Sequence, residues 1–379
     1  MNPKKLVLCM IVKNEAHVIE RCLASVLPVI DSWVIVDTGS ADGTQEKIKS
    51  FFDMVGIPGK LYERPWKDFS HNRSEALELA RPEGDYTLMI DADEILEFDS
   101  NFDATKFKEN LTLDVYNVFA LYGGIKYHRP QLTSNKLKFY YRGLLHEYLD
   151  CYDKFECKAF AEGFINRPIQ DGARSKDPQK YAKDAIVFEE ALKGPVDPKD
   201  FNRYHFYLAQ SYRDSQQWQK AHDAYLKRAE LGGWTEEVFY SYFQAGHLKE
   251  ILKQPVDECI KMYMAAFRTN PWRAEPMWAA AKLLNNNCRY DQAYEFAKKA
   301  IEKPFPNGAL FVAKGIYDWC AMEEYAISSY WTGRLSESLK ASRYLIEVSG
   351  MPEAEKPRIK QNFDLALAEL SDYRSLIVR

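Results

Sequence analysis

No Cys-x-x-Cys pair occurs in this chain of 379 residues, and its seven cysteines (Cys9, Cys22, Cys151, Cys157, Cys259, Cys288 and Cys320) are scattered and odd in number. That pattern excludes a zinc-ribbon module and a disulfide-stapled framework, and it fits a reducing, cytoplasmic setting. Long apolar runs are missing too. Nothing approaches the roughly 20 residues of a spanning helix, so any membrane role is expected to be peripheral. The run from Leu6 to Val12 follows two lysines but stops at Lys13-Asn14-Glu15 without a small-residue cleavage site, unlike a secretory leader. An excess of positive charge is also absent. Lys plus Arg number 51 against 55 Asp plus Glu, a net charge of -4, so no global field recruits nucleic acid or anionic lipid.

What is present is globular. Residues are 46% hydrophobic, 28% charged and 14% aromatic, which argues against a disordered, collagenous or membrane-embedded chain. The length suits two or three domains at roughly 150 residues each. The first half alternates short β-branched runs with helical patterns, the mark of βαβ units and a mostly parallel sheet. Strands are expected at Leu6 to Val12, Trp33 to Asp37, Lys60 to Glu63 and Tyr86 to Ile90, with later ones, open to antiparallel pairing, at Val115 to Tyr122 and Lys138 to Tyr141. Helices are expected at His17 to Leu27, Gln45 to Phe52 and Phe69 to Ala80. After about Asp177 the periodicity is helical throughout, which predicts an α/β domain over 1–176 and an all-α domain over 177–379. Small residues recur at Ala221, Cys259, Ala293 and Ser338, at intervals of 38, 34 and 45 residues. These lie near the tetratricopeptide period of about 34, so the second half is expected to be a solenoid of helical hairpins.

Chemistry is expected at the strand ends. Asp91 and Asp93, two apart after an apolar strand, should point to one face about 6–7 Å apart and suit one divalent cation such as Mg²⁺ or Mn²⁺. An ordinary acidic turn is the alternative. Asp37 ends the second strand and is an acceptor for base or ribose donors, with Gly39 permitting close backbone approach. Asp42 and Thr44 are turn and N-cap residues. Lys13-Asn14-Glu15 closes the first strand at the same edge, and Arg73 is a cation for a diphosphate or a plain surface arginine.

The series Met10-Ile-Val-Lys-Asn-Glu15, Val36-Asp-Thr-Gly-Ser40 with Asp42-Gly-Thr44, His71-Asn-Arg73 and Met89-Ile-Asp-Ala-Asp-Glu94 resembles a family 2 glycosyltransferase with a GT-A fold. Further on, Tyr141-Arg-Gly-Leu-Leu-His-Glu147, Gly172-Ala-Arg-Ser175 with Lys180-Tyr181, Phe206-Tyr-Leu-Ala-Gln-Ser-Tyr-Arg-Asp214 and Gly232-Gly-Trp-Thr-Glu-Glu237 resemble the bacterial branch in which that domain is fused to tetratricopeptide-like repeats. Peptide S-glycosyltransferases of glycocin pathways are similar in architecture.

The resemblance implies a metal-assisted, inverting hexosyl transfer from a UDP-sugar to a glycan, a lipid-linked sugar or a peptide. It implies that Asp37 contacts uracil or ribose, that Asn14, Glu15 and Gly39 line the nucleotide pocket, and that Arg73 steadies the nucleotide or its phosphates. Asp91 would face ribose or a metal-bound water, and Asp93 would ligate Mn²⁺ or Mg²⁺ directly. Family 2 enzymes commonly place the base in an acidic pair after the D-x-D, and none stands between Phe98 and Phe160. His146-Glu147 takes that place, His146 completing the metal shell and Glu147 acting as base, with Glu94 as the rival base. The remaining histidines, among them His128, His205, His222 and His247, lack ligand spacing.

Other readings differ in class. A sugar nucleotidyltransferase would need a glycine-rich phosphate loop after the first strand, and Lys13-Asn14-Glu15 lacks those glycines. An interaction scaffold would leave the α/β half vestigial, which the intact aspartates disfavour. A hydrolase lacks its G-x-S-x-G elbow or Cys-His signature. The repeats either buttress the fold, form a homo-oligomer or hold acceptor through some of Trp218, Tyr225, Trp234, Tyr240, Trp272 and Trp278, most of which should be core.

Overall fold

The computed structural model describes residues 3–122, 125–155, 159–306 and 308–377, so Cys157 lies outside the described residues. The chain divides into two compact units, Met1–Lys180 and Tyr181–Arg379.

The first unit runs β1 (Leu6–Val12), α1 (Ile19–Val26), β2 (Ser32–Asp37), α2 (Thr44–Val55), β3 (Gly59–Glu63), α3 (Phe69–Ala80), β4 (Tyr86–Met89), β5 (Glu94–Phe98), α4 (Ala104–Glu109), β6 (Val115–Tyr122), β7 (Ile125–Ser134), β8 (Phe139–Arg142), β9 (Tyr148–Cys151), β10 (Ala159–Phe160) and β11 (Phe164–Pro168). β1 is apolar at every position because both of its faces are covered. Leu6, Leu8, Met10 and Val12 pack with Ile19, Cys22, Leu23 and Val26 of α1 on one side. Val7 and Cys9 pack with Ala76, Leu77 and Ala80 of α3 on the other.

The main sheet has the order β3-β2-β1-β4-β7-β6-β11-β5, with β10 beside β6. Pairing is parallel from β3 to β4 and antiparallel at β4-β7, β7-β6 and β11-β5. β6 also pairs in parallel with β11 and β10, so parallel pairs form most of the main sheet and the antiparallel ones fall among its later strands, in line with the expectation. β7 hides because Arg129, Pro130 and Gln131 interrupt its alternation. The structure absorbs Pro130, which has no N–H to give, with a register shift opposite Tyr116 and Asn117. β8 and β9 form a separate antiparallel pair.

The helices that follow are α5 (Lys180–Lys193), α6 (Pro198–Asp214), α7 (Trp218–Glu230), α8 (Thr235–Ile251), α9 (Val256–Thr269), α10 (Glu275–Asn286), α11 (Tyr290–Ile301), α12 (Ala321–Trp331), α13 (Leu335–Glu347) and α14 (Lys356–Ile377). Each of α6 to α13 packs on the next in sequence. The recurring Ala221, Cys259, Ala293 and Ser338 fall on α7, α9, α11 and α13 and are all buried. Their last interval is longer because residues 302–320 separate α11 from α12. Tyr225 is core, whereas Trp234 and Trp272 precede α8 and α10 and are exposed. Arg228 and Arg273 are enclosed and compensated, the first by Glu237 at 2.8 Å and the second by Glu275 at 2.6 Å and Glu236 at 2.7 Å.

Close packing here is specific enough to test. A Cβ on Gly246 of α8 would lie 2.5 Å from a ring carbon of Tyr263 on α9, and that ring is fixed by its hydroxyl bonding to His247 at 3.1 Å. Gly246→Ala should therefore destabilise the helical unit by about 1–3 kcal/mol in urea unfolding, in spite of the better helix propensity of alanine.

Glu324 gives a pH test. Burial pushes its carboxyl up from 4.5 to about 7, opposed by the amide of Asn285 and reinforced by Glu323. A raised folded-state value means stability that is complete below the ordinary value and lost as pH climbs through 7. Between pH 5 and pH 8 the natural chain should lose about 2–3 kcal/mol relative to Glu324→Gln, read by urea unfolding at both pH values.

Candidate active site

Two turns interlock where β1 and β2 end. Asn14 adopts a left-handed φ of 57°, which asparagine tolerates. Its N–H donates to Ser40 Oγ at 2.8 Å, and its Oδ1 accepts from the Ala41 N–H at 2.9 Å. Glu15 N–H donates to Thr44 Oγ1 at 2.8 Å and Ala16 N–H to Asp42 Oδ2 at 3.0 Å. The N-cap of α2 is Gly43, at φ 90°, and not Thr44, which is the first helical residue. Asp42 instead accepts the Thr44 N–H at 3.1 Å.

These turns set Asp37 in place. Its Oδ1 accepts from Gly39 N–H at 2.9 Å, Ser40 N–H at 2.8 Å and Gln45 Nε2 at 3.1 Å. Gly39, at φ 104°, lets the chain fold back so that those donors converge. Asp37 is buried, and its Oδ2 has no hydrogen-bond partner.

The acidic turn departs from expectation. β4 ends at Met89, so Asp91 and Asp93 lie in a turn between β4 and β5, closed by Glu94 N–H donating to Asp91 O at 3.1 Å. Strand alternation does not govern them, and their carboxylates take different partners. Asp91 Oδ1 meets Arg73 Nη2 at 2.5 Å, while Asp93 Oδ2 accepts from Gly172 N–H at 3.3 Å. Enclosure would raise Asp91, but Arg73 and Arg129 outweigh it and hold the carboxyl below its usual range. Asp93 is raised by burial and then by the charge of Asp91. Burial pushes Glu15 up to about 7, against the Ala173 N–H it accepts and with the charge of Asp93.

Arg73 joins two loops. Besides Asp91 it pairs through Nε with Glu147 Oε1 at 2.7 Å, and its side chain is only 11% exposed. Arg73, Asp91, Arg129, Tyr141 and Glu147 line a pocket of about 230 Å³. His146 beside Glu147 is exposed, at a left-handed φ of 54°. Among the described residues no group of three or more His, Cys, Asp or Glu side chains converges to hold a metal ion, so the expected trio of Asp91, Asp93 and His146 is not gathered. The turn that tucks Glu147 inward leaves His146 outside.

Glu94, the rival base, is engaged on several sides. It is 3% exposed, pairs with Arg129, accepts from Asn166 Nδ2 at 2.9 Å and accepts the Asp91 N–H at 3.2 Å. Asn166 Nδ2 also donates to Gln131 Oε1 at 3.1 Å, and Gln131 Nε2 to Met89 O at 3.1 Å. Arg129, Gln131 and Asn166 escaped the sequence reading because β7 and β11 did.

A strap over residues 169–174 crosses the same edge. Ile169 N–H donates to Asp93 O at 3.0 Å, and Ala173 N–H to Glu15 Oε1 at 3.2 Å. Arg21 grips Asp171 with two bonds of 2.9 and 2.7 Å, and Arg174 lies 4.5 Å over the Phe69 ring. A Cβ on Gly172 would come within 2.9 Å of Asp93 Oδ2, so a larger residue here would push the Asp93 carboxylate aside.

The first unit is thus an α/β domain with its polar site beyond the carboxyl ends of parallel strands, where such sheets bind ligands. Residues 7–157 match the family model for glycosyl transferase family 2, and the second unit that follows is a run of helices packed each on the next. A TPR repeat-containing protein of Synechococcus elongatus is 42% identical over 90 residues, which is 24% of this chain and 20% of that protein. The chain therefore spans about a fifth of that relative's length. Among solved structures, a tetratricopeptide repeat protein from Parabacteroides merdae aligns at TM-score 0.36 and 18% identity, over 52% of this chain and 70% of its own. A mannosyltransferase from Pyrobaculum calidifontis, in complex with GDP-Man and Mn²⁺, aligns at TM-score 0.34 and 15% identity, over 61% of this chain and 77% of its own.

Removing Glu94 should expose its structural duty. Glu94→Ala leaves Arg129 without its ion pair and Asn166 with Gln131 alone, and the first unit should lose about 3 kcal/mol in chemical denaturation. A variant as stable as the natural chain would refute that structural role.

Proposed function

We propose that the chain is an inverting glycosyltransferase that moves a hexosyl group from a UDP-sugar to a glycan, lipid-linked sugar or peptide acceptor. The observation that carries this reading is Asp37. A buried carboxylate oxygen without a partner is costly unless a ligand donates to it, and a base N–H or ribose hydroxyl is such a donor. Asn14, Glu15 and Gly39 shape that pocket, the first two through the turns they pin.

Glu15 and Asp93 are both held up chiefly by burial, Glu15 feels the charge of Asp93, and Asp93 feels that of Asp91. Hard oxygen donors of this kind fit Mn²⁺ or Mg²⁺. Asp93 and Asp91 would hold the ion, which supplies charge neutralisation for a diphosphate leaving group. Arg73 orients Asp91 and Glu147 about one pocket. Glu147 is our choice of base: it would take the proton of the acceptor nucleophile as that atom attacks the anomeric carbon opposite the departing UDP.

Among the described residues no helix is long and apolar enough to cross a membrane. The described cysteines are unpaired, which supports a reducing, cytoplasmic location.

The test is a thermal-shift panel of UDP-, GDP-, CMP- and dTDP-sugars, each with and without Mn²⁺. Selective stabilisation by a UDP-sugar with metal is expected, by about 2.7 kcal/mol at a hundredfold excess over Kd. Asp37→Ala should abolish it. Glu147→Gln should keep the shift and lose roughly 100-fold or more in turnover. A panel in which nothing shifts refutes the donor site.

A further inference from the structure

Between α3 and the β8-β9 hairpin lies a groove of about 590 Å³ that the proposed donor site does not use. This is within the roughly 300–1,000 Å³ of small-molecule sites. α3 contributes positions 71, 74, 75 and 78, the spacing of one helical face, while Ala76, Leu77 and Ala80 pack against the sheet. Along β8, Phe139 and Tyr140 line this groove and Tyr141 lines the pocket of Arg73 and Glu147. Ser74 Oγ accepts the Tyr141 N–H at 2.8 Å and closes the wall between them. Groove and pocket thus stand back to back across one strand.

The hairpin builds an aromatic platform in the groove. Tyr140 and Tyr152 stack with ring centroids 4.5 Å apart, Tyr152 is 75% exposed, and the Tyr140 hydroxyl donates to Asp150 at 3.1 Å. The acids of the α3 face are already balanced: Glu75 pairs with Arg64 at 2.8 Å and Glu78 with Arg81 at 2.6 Å. A paired carboxylate keeps lone pairs for hydroxyl donors. The ligand that matches is flat and apolar on one side, rich in hydroxyls at its rim and uncharged. A phosphorylated or nucleic-acid ligand would need a surplus of cations, and Lys138 is the lysine lining the groove.

We propose that this groove binds a neutral oligosaccharide, the extended part of the acceptor, with a sugar ring laid on Tyr152. The word acceptor rests on the glycosyl-transfer reading; the binding itself does not. Full-length chain is titrated with mannotriose, cellotriose, maltotriose and chitotriose by saturation-transfer NMR and calorimetry. A heparin trisaccharide and a Gly-Ser-Thr-Ser peptide serve as charged and peptide probes, and the UDP-sugar thermal shift is recorded on the same samples. At least one neutral trisaccharide should bind, and Tyr152→Ala should weaken it about tenfold or more without changing the thermal midpoint or the nucleotide shift. The proposal is overturned if no neutral trisaccharide binds, if Tyr152→Ala binds as well as the natural chain, or if only heparin or the peptide binds. Saccharide binding without a nucleotide shift upholds the groove and removes the transferase reading. A nucleotide shift without saccharide binding does the reverse.

Discussion

Arg73 stands between two carboxylates that come from distant parts of the sequence, Asp91 after β4 and Glu147 before β9, and it meets them from α3 at 2.5 and 2.7 Å. Little water reaches this guanidinium, so each ion pair is stronger than a surface pair, and each depends on the other for charge balance. A helix, an acidic turn and a hairpin are thereby held in one geometry. The Tyr141 ring, 5.6 Å from the guanidinium, closes the remaining side. Without this cation the two acids would repel, and the hairpin would lose its charged tie to the sheet edge.

Around that centre the polar contacts form two layers. Nearest are the carboxylates left partly unsatisfied: Asp37 through Oδ2, and Glu15 and Asp93 through their neighbouring charges. Behind them are groups that tie elements together, such as Asn14 in the interlocked turns and Glu94, which pairs with Arg129 and accepts from Asn166. A site that must bind a charged ligand benefits from this division, because the outer network carries the rigidity and the inner acids keep free capacity.

Legibility in the sequence followed the same division. β1, β2 and β4 are short apolar runs, the first followed by Lys13-Asn14-Glu15, the second ending in Asp37 and the third leading into the D-x-D, and α3 carries apolar residues at helical spacing, so those elements and the acids at their ends could be found. The repeats showed themselves through small residues at Ala221, Cys259, Ala293 and Ser338, where helices must approach closely. β5, β7 and β11 stayed hidden because they carry Glu94, Arg129, Gln131 and Asn166, polar residues whose partners lie on other strands and leave no periodic trace. In the antiparallel part of the main sheet β6 was legible, whereas β7, β11 and β5 went unread for the reason that makes them useful as a support. Asp91 and Asp93 were placed on one strand face because nothing in the sequence marks Met89 as the end of β4.

Gly172 and Ala173 turn successive amides toward Asp93 and Glu15, and the strap that carries them is moored at Arg21. A cation or donor that claims those carboxylates shares them with the amides, which occupy only part of their lone-pair capacity, so the strap moored by Arg21 to Asp171 sets the side from which a ligand can approach.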